Sequence, residues 1–292
     1  PDSGYRSRID KLTEEAPLGY YKVDLTDYGI RAELTATTHC GFQRYTFPEC
    51  KEARILIDLL FPTEWDYGFT VEDAKITKIN NTEIEGYAVC QSGSWSSWND
   101  WTLYFVVRFN RPFNQLNGWN EEGQKEDING ITGKGDMGVY ATWNTQKGDI
   151  ILVQSGLSLV SIDGARANLK TELDTFGWNF DACVKDAQNE WNTLLSKIKI
   201  EGGCEKNRRK FYTNLYRAFA GKQTWNDCNG QYRDACENIQ QLAQGQNIYG
   251  GDAFWNSFWN LNGLWSIVAP EIMDNWVTTQ LEMFKHTGWT SK

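Results

Sequence analysis

Ile30-Arg31-Ala32-Glu33-Leu34-Thr35-Ala36-Thr37 alternates apolar with polar side chains without a break. Successive residues of an extended chain point to opposite faces, so this period of two predicts a strand that buries Ile30, Ala32, Leu34 and Ala36. Working outward, the same alternation places Ile55, Ile57 and Leu59 on one face, and Leu103, Phe105, Val107 and Phe109 on another. Turn-forming clusters separate these runs at Thr26-Asp27-Tyr28-Gly29, Asn80-Asn81, Gly133-Lys134-Gly135-Asp136 and Lys147-Gly148-Asp149. Many short strands with no helical pattern between them predict an all-β antiparallel sandwich over residues 1–168.

From about residue 170 the period changes. Phe180, Val184, Ala187, Trp191, Leu194 and Ile198 step by four, three, four, three and four, one face of a helix, with Gly202-Gly203 as its stop. Phe211, Leu215 and Phe219 mark a second helix that ends at Gly221. A third is expected from near Ser257 to Val268, ahead of Pro270, and a fourth buries Met273, Val277, Leu281 and Phe284 with Gly288 just past its end. Consecutive helices without strands indicate a separate all-α domain over 169–292. The third helix carries Phe258, Trp259, Leu261, Leu264, Trp265, Ile267 and Val268 and is expected to be buried nearly all round.

Composition narrows the function. The 292 residues carry a formal net charge of -9, which opposes binding to nucleic acid, and no apolar run is long enough to span a bilayer. Lys206-Asn207-Arg208-Arg209-Lys210, the densest basic cluster, reads as the solvated start of a helix. The chain opens on Pro1 with no leader ahead of the folded pattern and closes on Gly288-Trp289-Thr290-Ser291-Lys292, so it reads as an internal piece whose signal peptide lies elsewhere or has been removed. Seven Cys leave at least one thiol unpaired; Cys40 with Cys50, and Cys228 with Cys236, read equally as local disulfides or as small buried thiols. With only two His, a His-based metal centre is not supported.

Fourteen Trp contribute to an aromatic share of 14%. Sugars offer apolar C–H faces that stack on aromatic rings, while Asn, Asp and Arg reach their hydroxyls, so this surplus without basic charge favours carbohydrate. The densest constellation is Tyr249-Gly250-Gly251-Asp252-Ala253-Phe254-Trp255-Asn256-Ser257-Phe258-Trp259-Asn260, where two glycines lead into a helix. Asp252 either caps that helix or aims its carboxylate outward, and Trp255 and Trp259 either meet a ligand or pack four residues apart. Trp225-Asn226-Asp227-Cys228-Asn229-Gly230-Gln231-Tyr232-Arg233-Asp234 reads as an ordered turn, because no Glu closes it at the spacing of a calcium loop. Ser94-Trp95-Ser96-Ser97-Trp98-Asn99-Asp100-Trp101 either lines a sugar groove or pins a loop. His39 and His286 show no nucleophile pairing.

These residues resemble glycoside hydrolase family 92 over nearly the whole chain. The resemblance rests on Gly19-Tyr20-Tyr21-Lys22-Val23-Asp24-Leu25 followed by Ala32-Glu33-Leu34-Thr35-Ala36-Thr37, and on Gly41-Phe42-Gln43-Arg44-Tyr45-Thr46-Phe47-Pro48 and Ile84-Glu85-Gly86-Tyr87. In the second half Phe211-Tyr212-Thr213-Asn214-Leu215-Tyr216, the spacing of Asp227, Gly230 and Tyr232, and Trp255 through Pro270 agree with it. The resemblance implies a β-sandwich followed by the beginning of an (α/α)6 barrel, with exo-acting, calcium-dependent, inverting hydrolysis of an N-glycan or other α-mannoside. It also implies a secreted or periplasmic protein, or one anchored at the surface. Both catalytic carboxylates are expected outside this chain, and no metal ligand is assigned. Tyr249, Asp252, Trp255, Asn256 and Trp259 are the expected substrate-binding residues. The family commonly has Asp and Arg where this chain has Asn256 and Trp259, a change that redirects which hydroxyls are recognised. A carbohydrate-binding member without turnover, or a disaccharide phosphorylase of the same architecture, are the alternatives.

Overall fold

The computed structural model describes residues 4–60, 69–94, 97–250 and 257–290. They form two compact units, Pro1–Ala187 and Gln188–Lys292.

The first unit is a sandwich of two antiparallel sheets. Thirteen strands run in chain order as β1 (Ile9–Glu15), β2 (Tyr21–Leu25), β3 (Ile30–Ala36), β4 (Cys40–Thr46), β5 (Cys50–Asp58), β6 (Thr70–Asn80), β7 (Glu83–Ser94), β8 (Ser97–Phe109), β9 (Gln115–Asn120), β10 (Gly123–Lys125), β11 (Gly130–Gly133), β12 (Gly138–Thr145) and β13 (Ile150–Ser158). The larger sheet has nine strands in the order β1-β2-β3-β4-β13-β8-β7-β6-β11, and the smaller has four in the order β10-β9-β12-β5. The four predicted turns all fall between strands: Gly29, Gly135 and Gly148 supply positive φ at the β2–β3, β11–β12 and β12–β13 connections, and Asn81 lies between β6 and β7.

The core lies between the sheets, where Ile76, Ile84, Phe105, Val107, Phe109, Ile151 and Val153 of the large sheet meet Ala53, Ile55, Leu116, Val139, Ala141 and Trp143 of the small one. The alternation read from the sequence holds here. On β3, however, Glu33 and Thr35 are buried as well and Ala36 is exposed, so this strand is covered on both faces. Arg44 and Tyr20 lie against Glu33, and the neighbouring strands of that outer face are covered by two helices, α1 (Ile162–Leu173) and α2 (Phe180–Leu195). Ala165, Leu169 and Leu173 of α1 and Phe180 and Cys183 of α2 pack on Phe42, Val106 and Leu152 of the outer face. Ser161 caps α1 by accepting the N–H of Gly164 at 2.9 Å.

Gly156 of β13 allows that contact. A Cβ there would lie 2.4 Å from the Ala165 carbonyl oxygen and 2.8 Å from the Leu169 Cβ, so backbone rather than a flexible side chain would have to yield. Gly156→Ala is therefore expected to cost about 1–3 kcal/mol, as overpacking does, read as a lower urea midpoint. An unchanged midpoint would show that α1 moves freely on the sheet.

Cys40 and Cys50 are unbridged. Cys40 opens β4 opposite Gly156, while Cys50 opens β5 opposite Thr145 in the other sheet, so of the two readings for this pair the structure bears out unbridged thiols. Burial pushes the Cys40 thiol well above its usual range, with the Glu172 carboxylate adding to the effect.

In the second unit α2 ends at Leu195, ahead of the Gly202-Gly203 pair, and α3 (Glu205–Ala220) follows, capped by Gly221. Its first two turns, with the Lys206–Lys210 cluster, are exposed, and Leu215 and Phe219 are buried. Four short strands come next, then α4 (Leu261–Val268) and α5 (Pro270–Thr287). Two burial expectations fail here. On α4 Trp265 is buried, but Ile267 is exposed; on α5 the packed row is Ile272, Trp276, Thr279, Met283 and His286, and Val277, Leu281 and Phe284 point to solvent. The chosen row is the one that carries Trp276, whose ring faces the Lys222 ammonium at 3.6 Å. Gly288 ends α5 in the left-handed region, its N–H bonded to the Phe284 oxygen at 2.8 Å.

Candidate functional site

The aromatic, Gly-rich stretch singled out in the sequence begins on a two-strand ribbon. β14 (Gln223–Thr224) pairs with β17 (Tyr249–Gly250), and β15 (Gln231–Arg233) pairs with β16 (Ile239–Gln241). Asp252, Trp255 and Asn256 lie outside the described residues, and so do the side chains of Trp95 and Trp98. Tyr249 and Trp259 can be placed.

Tyr249 is fixed from two directions. Its backbone N–H donates to the Thr279 hydroxyl at 2.9 Å, and its own hydroxyl accepts from the Asn275 amide at 3.2 Å. Burial raises its phenol above the ordinary value. A chain of amides extends this anchor: Asn275 Oδ1 accepts the N–H of Asn247 at 3.1 Å, and Asn247 Oδ1 accepts from Asn226 Nδ2 at 3.2 Å. Asn226 Oδ1 in turn accepts the N–H of Ile248 at 2.9 Å, which ties the turn after β14 to the start of β17. Gly250 then lies flat against Trp225, where a Cβ would meet the indole at 2.4 Å. Trp225 is itself held by Nε1 donating to the Arg233 oxygen at 3.3 Å. The chain thus enters residues 251–256 from a clamped point.

Trp259 stands on the far side of that stretch, 77% exposed, its ring edge-on to Phe258 with centroids 6.3 Å apart. The structure does not bring it to Tyr249. Asn275 and Thr279, which meet Tyr249, and Asn226 and Asn247, which extend the chain behind them, were not singled out as site residues. Asn226 fell inside the quoted turn cluster, and Asn275 and Thr279 are one helical turn apart, a spacing that puts two polar groups on the same face of α5.

The Trp225–Asp234 stretch is the ordered turn that its sequence suggests. The N–H of Asp227 donates to the Gln231 oxygen and that of Gly230 to the Asp227 oxygen, both at 2.8 Å. Asp234 accepts the N–H groups of Cys236 and Asn238 and the Gln240 amide. Burial pushes its carboxyl up, but these donors and His286 at 3.7 Å outweigh that and hold it below the usual range. Cys236 forms no disulfide. Among the described residues no group of three or more His, Cys, Asp or Glu side chains converges as metal ligands. What this region offers chemically is placement: an amide and indole frame that fixes Tyr249-Gly250.

An antiparallel sandwich followed by a unit of helices and short strands is a two-domain architecture, and two family models match the chain. The model of the glycosyl hydrolase family 92 N-terminal domain matches residues 1–158 and that of the family's catalytic domain matches 164–292. The chain belongs to glycosyl hydrolase family 92. A family GH92 α-mannosidase from Bacteroides thetaiotaomicron superimposes with a TM-score of 0.89 at 27% identity, over 100% of this chain and 39% of the other. The same α-mannosidase in complex with mannoimidazole matches with a TM-score of 0.88 over 38% of its length. An inverting family GH92 mannosidase from that organism, 18% identical with a TM-score of 0.81, shares the fold. An uncharacterized secreted glycosidase of Arthroderma benhamiae is 23% identical over 227 residues, 71% of this chain and 28% of that protein. The chain therefore spans about two-fifths of the solved structures and less of the curated relative.

Proposed function

We propose that this chain supplies the sandwich and the first barrel helices of a secreted, exo-acting α-mannosidase that inverts at the anomeric carbon and acts on N-glycan or related α-mannosides. The observation that carries the reading is the match to an α-mannosidase over the whole chain at 27% identity. The relative's secreted character supports export, and no helix of the described residues is long and apolar enough to cross a membrane.

In an inverting glycosidase one carboxylic acid protonates the leaving oxygen while a carboxylate on the opposite face activates water. Neither role is assigned to a residue of this chain. Its own contribution is recognition: Tyr249-Gly250 is clamped ahead of residues 251–256, and Trp255, Asn256 and Trp259 provide indole faces for the ring and an amide that both donates and accepts. Calcium enters this reading on the family resemblance, with no ligand assigned; a hard cation of this kind binds hydroxyl oxygens.

The test is incubation of the full-length protein with α-mannobiosides, with and without a chelator, following the anomer of released mannose by proton NMR. β-Mannose released only with calcium is expected. Release that persists in chelator would overturn the metal role, α-mannose would overturn inversion, and release that requires added phosphate would identify a phosphorylase. Binding without release would identify a non-catalytic member.

A further inference from the structure

A second place in the molecule has the makings of a sugar site, and it is contained within the first unit. Four neighbouring strands put Glu83, Arg108, Gln154 and Phe42 in a single row on the outer face of the large sheet, each paired directly with the next. The turn after α1 rises over this row and presents Trp178, which rests edge-on against Phe42 with centroids 6.2 Å apart. Between the row and the turn lies a pocket of about 410 Å³ that also takes in Thr82 and Asn110. That volume falls within the range of small-molecule sites, roughly 300–1,000 Å³.

The pocket is held ready. Gln154 is fully buried: its Oε1 accepts from Arg108 Nε at 2.8 Å, and its Nε2 donates to the Gly177 oxygen at 2.7 Å, which pins the turn that carries Trp178. Gly177 sits at φ +53, a conformation that lets the turn close. Arg108 is bound on its other side by Asp174 Oδ1 at 2.6 Å, and its guanidinium lies 5.9 Å from the Trp178 ring. Asn110 uses its Oδ1 to accept the N–H of Leu152 at 2.9 Å, and its amide nitrogen makes no hydrogen bond among the described residues. Trp178 nonetheless remains 39% exposed, a large ring left open beside a polar pocket.

Charge decides the ligand class. Arg108 is matched by Asp174, and Glu83 is matched by Arg166 at 2.6 Å, so no unpaired cation faces the pocket and an anionic ligand gains nothing. An open indole beside a carboxylate oxygen, guanidinium N–H groups and an amide suits a neutral ring with an apolar face and a rim of hydroxyls. We infer that this pocket binds a neutral pyranose, with Trp178 as the stacking plate and Asp174, Arg108 and Asn110 as hydroxyl partners. The inference does not depend on the mannosidase reading.

The test is titration of the chain with methyl α-mannopyranoside and methyl α-glucopyranoside, with galacturonate as an anionic control, followed by saturation-transfer NMR and tryptophan fluorescence. The neutral glycosides are expected to bind, and Trp178→Ala to weaken binding by roughly ten-fold, the size of a lost ring contact. Trp178→Phe should retain part of it, and Asp174→Asn, which leaves the ring in place, should weaken it several-fold. No saturation transfer to either neutral glycoside would overturn the proposal, as would unchanged affinity in Trp178→Ala, tighter binding of galacturonate, or binding lost in Trp259→Ala alone. Because the readout is binding without turnover, it stands or falls separately from hydrolysis.

Discussion

Replacing Arg44 by Met is expected to destabilise the sandwich unit by about 3–5 kcal/mol at pH 7, the cost of leaving a buried charge uncompensated. Glu33 points to the outer face of β3 and is 7% exposed. Arg44, its cross-strand partner on β4, grips it with two bonds of 2.8 and 2.7 Å, and the Tyr20 hydroxyl donates a third at 2.7 Å. The same guanidinium lies over the Phe180 ring at 4.4 Å and reaches Asp181 at 3.0 Å, so one side chain joins the sheet to the start of α2. Asp181 is exposed and contributes little. The pH dependence carries the sign of the effect. Burial alone would raise the Glu33 carboxyl, but the Arg44 and Tyr20 bonds prevail and hold it below the ordinary carboxylate value. Its contribution is thus fully present above that ordinary value and is lost as pH falls through the lower folded one. In the variant burial opposes only Tyr20 and the Arg31 charge, the smallest of these effects, so Glu33 takes up a proton more readily and the penalty fades in acid. Urea unfolding between pH 8 and pH 4 should show a gap between the two proteins that narrows as pH falls. A gap below about 1 kcal/mol at pH 7, the range of an exposed pair, or one that stays flat with pH, would mean that Glu33 is not buried as described.

The strands and their turns were legible because they are local. A period of two and a Gly or Asn at a connection need only neighbours in sequence, and β2–β3, β6–β7, β11–β12 and β12–β13 follow from them. The order of the large sheet was not legible, since β13 inserts between β4 and β8, a pairing across more than a hundred residues that no local pattern encodes. The same insertion explains why Cys40 and Cys50 part company. Burial of Glu33 and Thr35 was hidden for a related reason: polar side chains on the second face of a strand read as solvated until their partners from other segments, Arg44, Tyr20 and the Gly19 oxygen, are known. On α5 two apolar rows stand about 100° apart, and helical periodicity cannot choose between adjacent rows. Packing chose the one with Trp276 and Thr279, which meets the Tyr249 strand. Of the expected site residues Tyr249 was legible, but the amide chain behind it left no sequence signal, because Asn226, Asn247 and Asn275 come from three separate segments. Trp178 gave none either, standing alone in a turn whose partners come from β8 and β13.

The largest functional effect is expected from Gly250→Val in the full-length enzyme: a fall of about 100-fold in kcat/KM for an α-mannoside, with unfolding of the sandwich unit unchanged. Gly250 is the last described residue before the aromatic stretch 251–256, and its α-carbon faces the Trp225 indole so closely that a Cβ would sit 2.4 Å from Cε3 and 3.0 Å from Cζ3. The ring cannot swing aside cheaply, because its Nε1 is bonded to the Arg233 oxygen in the neighbouring ribbon. The strand cannot retreat either, because Tyr249 is bonded to Thr279 and Asn275 on α5. Relief therefore requires the chain beyond Gly250 to shift, and a displacement of about 1 Å in a positioning element is enough for a loss of that size. If the loop positions the sugar through the transition state, kcat falls more than KM rises. Gly250→Ala should show an intermediate loss, since its single methyl group meets the same ring. Trp225→Ala combined with Gly250→Ala should recover activity relative to Gly250→Ala alone, because the clash partner is gone. Activity of Gly250→Val close to that of the wild type would mean that residues 251–256 take their position from elsewhere, and that the clamp at Tyr249 serves only the fold.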